Sequence, residues 1–403
     1  MSIFRGARRD PVRPSFRDPR FALLLAGQSF GWVCSWASAI VLWGFAAYHF
    51  GASPQAISVT ALCWSGPPVV LTAFTGGLTD RFGPRTMLII GYACSAVTSL
   101  GMTTAGSLMS LDIMAAACGV ARSVCTPASS TLPARVVEPG DLLAANSLLG
   151  VTASIGQVGG PLAASVLMAV AGFRTAFAAD AAMYLVNALV VIPLPNLPRP
   201  DEPRESETWL RQATAGAVTV ARDPGLRRVA LARMGIIFTS GAFLVLEPLY
   251  ARHVLDRPPS QFALFEAVIG TGAIVTGLAL PVIRRRRSAT RTAGTVLAAG
   301  AISYGLAAAL FTGTPWIPVA YLGAFVWGAG GAVFYTAAAT TLQRLAPAKT
   351  LGRVAGVIST AESTVENVSM PLAGMLIAGA GIRSGALILA AVSVAAGTAC
   401  LRG

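Results

Sequence analysis

The sequence predicts an all-α polytopic membrane protein: twelve transmembrane helices in two groups of six. Three observations carry this. The 403 residues are 54% hydrophobic and only 12% charged, against roughly 25% charged in a soluble domain, and mean hydropathy is +0.66. Apolar runs near twenty residues recur along the whole chain, each long enough to cross about 30 Å of hydrocarbon as a helix. The basic residues gather between those runs, as the positive-inside rule requires. The alternating segments of about ten residues that build a membrane barrel are absent.

The elements follow in order. Residues 1–20 form a basic N-terminal segment. Span 1, Phe21–Tyr48, is too long and too polar-flanked for a cleaved signal. Span 2 (Ile57–Leu78) and span 3 (Thr86–Ala105) are separated by the charged turn "GGLTDRFGPR". Span 4 (Met109–Ser130), span 5 (Leu142–Val170) and span 6 (Thr175–Leu194) complete a first bundle over residues 21–194. Residues 195–228 are proline-rich and charged, a cytoplasmic linker whose second part suits an interfacial amphipathic helix around Trp209. The second bundle, residues 229–403, holds spans Val229–Tyr250, Gln261–Ile283, Thr290–Phe311, Trp316–Thr340, Val354–Gly379 and Ser384–Leu401.

With the N-terminus in the cytoplasm, that side collects about 24 basic residues against 4 on the other, so both termini are cytoplasmic. The net charge of +13 is therefore a topology signal, and no nucleic-acid partner is expected. A single lysine, Lys349, and abundant alanine fit a GC-rich bacterial genome, which places the chain in a bacterial cytoplasmic membrane. The 6 cysteines all fall in apolar runs without metal-ligand spacing and read as small packing residues.

The halves echo one another. "RDPRFALLLAG" (Arg17–Gly27) opens the first and "RDPGLRRVALARMG" (Arg222–Gly235) the second, each an arginine, an Asp-Pro break and an apolar helix. Internal duplication around a midplane site is the plan of many secondary transporters.

The turn between spans 2 and 3 has its own logic. Gly76, Gly77 and Gly83 permit close helix approach and positive φ. Pro84 suits the first turn of the next helix. The Asp80 carboxylate suits a helix N-terminus, and Arg81 and Arg85 stay on the inner face. The spacing Gly76-x-Leu78-x-Asp80-Arg81-x-Gly83-x-Arg85 closely resembles the loop 2–3 signature of the major facilitator superfamily. Gly156-x-x-x-Gly160-Pro161 on span 5 resembles that superfamily's antiporter motif, a glycine-lined helix bend. "RFALLLAGQ", "CTPASSTLPARVV…LLAANSLLG" and "TLQRLAPAKTLGRVAGV" are similar to the twelve-span drug:proton antiporters, in particular the macrolide-efflux and enterobactin-exporter-like group.

The resemblance implies two six-helix bundles rocking about a cavity lined by spans 1, 4, 7 and 10. It implies that Asp80 meets the N-terminal end of span 11 in the outward-open state, with Arg353 as a neighbour. The chain also departs from the pattern. The second-half loop "PVIRRRRSATR" has no aspartate, and Pro84 stands where a basic residue is common. Where many relatives carry a span-1 aspartate, this chain has about Ser35.

Ionisable groups inside a membrane are costly and usually functional. Glu362 and Glu366 on span 11 are four residues apart and share a helical face, with Asn367 adjoining. Two such carboxylates repel when both are ionised, which suits proton uptake and release. They are the proton-coupling candidates, with Arg122 on span 4 balancing their charge across the cavity; lining a wet cavity or pairing structurally is the alternative. Asp180 on span 6 is expected to make a structural hydrogen bond. Glu247 and Glu266 are expected as entrance residues or solvated helix ends, and Asp112 as an N-cap. Cavity candidates are Gln28, Trp32, Ser35 and Trp36 on span 1, Trp327 and Tyr335 on span 10, and Asn367. An aromatic, mostly apolar cavity suits a bulky amphiphile.

No nucleotide-binding loop occurs, and the two histidines, His49 and His253, fall in loops. The chain therefore reads as a transporter rather than an enzyme, a monomer without a cofactor, driven by a proton gradient. The expected activity is export of a hydrophobic or amphiphilic small molecule. A uniporter or importer of a small polar solute, or a non-transporting sensor or scaffold, remain the alternatives.

Overall fold

The computed structural model describes residues 19–131, 142–193, 209–286, 293–346 and 350–399. Arg5, Arg8, Arg9, Arg13, Arg17, Arg135, Arg287, Arg291, Lys349 and the first part of the linker, 195–208, lie outside the described residues, as do the side chains of Arg20, Asp80, Trp209, Arg284, Arg285 and Arg286. Every regular element among the described residues is helical.

In chain order they are α1 (Pro19–Gly44, continued by a π turn Phe45–His49), α2 (Pro54–Phe82), α3 (Pro84–Met102), α4 (Leu108–Thr131) and α5 (Leu142–Val191). Then come α6 (Trp209–Arg222), α7 (Pro224–His253), α8 (Pro259–Arg286), α9 (Ala293–Gly313), α10 (Ile317–Leu345), α11 (Leu351–Ala380) and α12 (Ile382–Ala399). By length and composition 8 of them are able to cross a membrane, and one of these, α5, breaks at Gly172 (φ 75°, ψ 179°) between the expected spans 5 and 6. Outside that set are α2 and α3, rich in small and hydroxylated residues, and α11, which carries Arg353, Glu362 and Glu366. So is the linker helix α6.

Local chemistry fixes the helix ends. Ser53 caps α2, accepting from the Ala56 N–H at 3.3 Å, with Pro54 as its first residue. The Asp-Pro of the second-half echo works the same way: Asp223 accepts from Leu226 N–H at 2.9 Å and Pro224 starts α7. Gly83 turns α2 into α3 at φ 84°, a conformation that side chains disfavour, and Pro84 begins the next helix.

Packing repeats with a period of six spans. In the first half α1 lies on α5, α2 on α4, and α3 on α4 and on the second arm of α5. In the second half α7 lies on α11, α8 on α10, and α9 on α10 and α12. The halves meet along two symmetry-related seams, α2 against α11 and α5 against α8. Ser58 Oγ donates to Met370 O at 2.9 Å on the first seam, and Ser165 Oγ to Ser260 O at 2.7 Å on the second. Arg252 donates to Ala47 O beside them.

These bonds run from the face opposite the α2–α3 turn down to mid-depth, where Ser65 Oγ donates to Asn367 Oδ1 at 2.7 Å. A Cβ at Gly76 or Gly77 meets nothing within 4 Å, and Phe74, Leu78 and Phe82 are exposed. The molecule is closed on the far face and parted on the turn face. There the first turns of α11 lean on the linker helix instead, with the Gly216 Cβ position 2.6 Å from Arg353 O.

Candidate functional site

The parted seam leads to the polar groups at mid-depth. The α7 and α11 helices pack closely because Gly241 faces Glu366 and Ser369: a Cβ there lies 2.7 Å from Glu366 O. This contact sets the register that brings Arg233 of α7 onto Glu362 of α11. Arg233 Nε donates to Glu362 Oε1 at 2.5 Å and its Nη2 to Oε2 at 2.8 Å. The side chains are 17% and 13% exposed. Such a fork-to-fork pair is among the stronger polar contacts a protein makes. Tyr335 of α10 places its ring 5.8 Å from the Arg233 guanidinium.

Glu366 stands one turn further along α11. Among the described residues its carboxylate makes no hydrogen bond or ion pair. Asn367 beside it accepts from Ser65 of the other half and donates to Ser363 O at 2.9 Å. The polar strip of α11 thus borders both the cleft and the seam.

Arg122 lies elsewhere. It sits in the first half, with its guanidinium carbon 3.6 Å from the Trp64 ring centroid and its Nη2 donating to Ser35 Oγ at 3.0 Å. Its Nη1 is buried without a partner among the described residues. A recess of about 110 Å³ opens beside it, lined by Gln28, Trp32, Ser35, Tyr92, Arg122 and Ser129 among others. Gln28 Nε2 spans this recess toward Ser129 O at 3.4 Å. A larger recess of about 400 Å³ lies on the far face, by His253, Gly381 and Arg383, remote from the mid-depth carboxylates.

Other expected residues take definite places. Gly156 and Gly160 seat α5 on α1: a Cβ at Gly156 lies 2.7 Å from Trp32 C, and one at Gly160 2.8 Å from Val33 O and 2.5 Å from Trp36 Cβ. Pro161 follows within the same helix. Trp32 itself is 42% exposed at the recess. Arg81 is exposed at the end of α2, its guanidinium 5.3 Å from the Phe82 ring, and Arg85 is half-buried at the start of α3. Asp180 accepts from Ser38 at 2.7 Å and from Ser99 at 2.7 Å, joining α1, α3 and the second arm of α5.

Four expectations are corrected. The counter-ion of Glu362 is Arg233, not Arg122, because α7 and α11 are partners within one half while Arg122 packs inside the other. Trp327 does not line the cleft. It is 3% exposed, in an aromatic cluster with Phe243, Tyr304 and Phe311. Eight residues advance a helix by about 800°, so Trp327 and Tyr335 point about 80° apart. Glu247 and Glu266 are not solvated ends: they are 4% and 8% exposed. Asp112 is not an N-cap either. Ser107 caps α4, and Asp112 accepts from Thr60 of α2 at 2.6 Å.

Arg233, Trp64 and Ser65 are site residues that sequence reasoning does not single out. Arg233 carries a signal, an arginine inside an apolar span, but its partner is set by the packing of α7 on α11. Trp64 and Ser65 carry none.

The arrangement is a pair of packed halves with charged groups at mid-depth. The family model described as Major Facilitator Superfamily matches residues 23–366. The chain belongs to the major facilitator superfamily. Among its relatives, an uncharacterized MFS-type transporter, YfiS of Bacillus subtilis, is 22% identical over 97% of this chain and 95% of its own. The enterobactin exporter EntS of Shigella dysenteriae is 24% identical over 75% of this chain and 72% of its own. The fold is shared with solved transporters. The nucleoside transporter NupG superposes with TM-score 0.73 at 14% identity, covering 95% of this chain and 98% of that one. A peptide transporter POT in complex with sulfate gives 0.76 at 13% identity over 95% and 94%. The protein is thus a multi-pass membrane transporter for small molecules.

Proposed function

We propose that the protein is a proton-coupled exporter of a hydrophobic or amphiphilic small molecule, such as an antibiotic, a dye or a siderophore-like natural product. It works as a monomer, without a cofactor, in the bacterial cytoplasmic membrane with both termini inside. The parted turn face is then cytoplasmic, and this conformation is the inward-facing one. The observation that supports coupling most is at mid-depth: Arg233 is fully engaged by Glu362, which leaves Glu366, one turn away, without a cation. An unpaired carboxylate beside an ion pair, reached from the cleft, suits reversible protonation. Protons taken up outside are released inside as the compound moves out. The relationship to an enterobactin exporter supports the outward direction.

A second reading, a uniporter or importer of a small polar solute, draws on the recess at Arg122, where the buried Nη1 offers a hydrogen bond to an anionic group. Inside-out vesicles with an acid interior and a pH-reporting dye separate the two. A panel of antibiotics, dyes and siderophores is added outside. Compound-dependent proton efflux supports antiport. Downhill compound flux with no proton movement supports the uniporter, and no flux of any solute favours a sensor or scaffold.

A further inference from the structure

The recess at Arg122 gathers polar groups that the first half leaves unpaired. Arg122 of α4 is held on two sides, by the Trp64 ring 3.6 Å from its guanidinium carbon and by Ser35 Oγ 3.0 Å from its Nη2. Its Nη1 is buried without a partner among the described residues. Ser95 of α3, on the same wall, is fully buried, and its Oγ also lacks a partner among them. At Gly31 the recess meets the second arm of α5. A Cβ there lies 2.9 Å from Asn187 Nδ2 and 3.3 Å from the Tyr92 hydroxyl oxygen. Asn187 is fully buried, and neither polar atom of its side chain is hydrogen-bonded among the described residues. Buried polar groups are ordinarily satisfied, and each exception asks for a partner. Here a guanidinium, a hydroxyl and a carboxamide, all unsatisfied, surround one recess.

Charge sharpens the point. Among the described residues lining the recess, Arg122 alone is charged. Among the described residues no carboxylate forms an ion pair with it. Glu362 is taken by Arg233. The Asp180 oxygens accept from Ser38 and Ser99, and Ser38 Oγ stands between Asp180 and the Tyr184 hydroxyl, 3.1 Å away on the recess wall. A cation inside a membrane without a counter-ion is costly and marks a functional site.

The donors set the ligand chemistry. A guanidinium edge, a hydroxyl and an amide suit an anionic acceptor, and a carboxylate offers two such oxygens. The recess of about 110 Å³ equals the liquid share of about three to four waters. A carboxylate fits and a whole amphiphile does not. The rest of the molecule then lies along Trp32, which is 42% exposed at the recess.

We propose that this recess holds the carboxylate of the exported molecule, so that the substrate class is an amphiphilic organic acid. Arg122 selects the head, Ser95 and Asn187 position it, and the apolar body stays in the cleft. The proposal deepens the exporter reading above and rests on it. The head is bound in the first half, apart from Glu366 in the second.

The test is binding to the full chain in lipid nanodiscs, read by equilibrium dialysis, with empty nanodiscs to subtract partition into lipid. The probes are benzoate, 2-naphthoate and 1-pyrenebutyrate, each beside its neutral primary amide. The larger acids are expected to bind about tenfold more tightly than their amides, a ratio that one charge-assisted hydrogen bond supplies. Arg122→Gln is expected to abolish that preference and to leave amide binding in place. Ser95→Ala removes a hydroxyl that bonds nothing among the described residues. It is expected to keep thermal stability and to weaken the acids several-fold, and it carries the test where Arg122→Gln fails to fold. Equal binding of every acid and its amide, or no binding of any, overturns the proposal. So does a preference that survives both substitutions. Acetate competing as strongly as 2-naphthoate also overturns it, and points to a small polar solute. Binding needs no gradient. Vesicles that move no protons therefore remove the proton-coupled reading while a carboxylate preference stands. A missing preference with proton efflux intact removes this proposal alone.

Discussion

Arg233 of α7 holds Glu362 of α11 by two parallel hydrogen bonds, 2.5 and 2.8 Å long, in the middle of the second bundle. Both side chains are more than four-fifths withdrawn from solvent. The pair fixes α7 against α11 at the level where the two halves part. It also decides which of two neighbouring glutamates is free to change its charge.

Breaking this pair from one side leaves a charge buried without compensation. Arg233→Gln or Glu362→Gln alone is expected to destabilise by about 3 kcal/mol. The double variant restores neutrality and is expected to be less destabilised than the sum of the two. Thermal unfolding of the four proteins in detergent gives the coupling energy. Strict additivity removes the pair's structural role.

Glu366→Gln is expected to abolish uphill, gradient-driven export while the protein remains folded, since Arg233 and Glu362 are untouched. Glutamine keeps the shape of the protonated acid but cannot release a proton. Transport in inside-out vesicles, with and without the acid interior, is the measurement. Full retention of uphill transport ends the coupling role of Glu366.

Much of this is legible in the sequence, and the rest is not for identifiable reasons. Span positions follow from runs of apolar residues, which need no partner to be recognised. Glu362 and Glu366 stand out because a carboxylate in a greasy helix is expensive. The identity of their neighbours depends on α7–α11 packing, which one-dimensional spacing does not encode. Glu247 and Glu266 look solvated in the sequence because each lies within seven residues of a helix end, where solvation is the ordinary expectation. The tertiary packing of α7 and α8 is what buries them. Trp327 looks like a cavity residue because a spacing of eight residues loosely keeps a helical face.

Two glycine positions test the seams in opposite ways. Gly160→Ala places a methyl 2.8 Å from Val33 O and 2.9 Å from Ala37 N, both backbone atoms that cannot step aside. It is expected to push α1 off α5 and cost about 1–3 kcal/mol. Gly77→Ala meets nothing within 4 Å in this conformation, and alanine favours a helix over glycine by about 0.5–1 kcal/mol. It is expected to keep or raise thermal stability yet slow transport, because the turn face must close in the alternate state. Equal behaviour of the two variants in unfolding assays contradicts the packing described here.

Alternating access requires the far-face seam to open, and that step is testable by covalent locking. At α2 and α11, the Gly374 Cβ position touches Ser58 Oγ and lies 2.9 Å from Pro54 O, so paired cysteines at positions 58 and 374 are within disulfide reach. In a background freed of the native cysteines, Ser58→Cys with Gly374→Cys is expected to cross-link on oxidation and arrest export. Reduction is expected to restore it, and each single variant to be indifferent to oxidant. A crosslinked protein that still transports at the reduced rate means that α2 and α11 never separate on this face during the cycle. In that case the conformation seen here is not one end of a rocking motion.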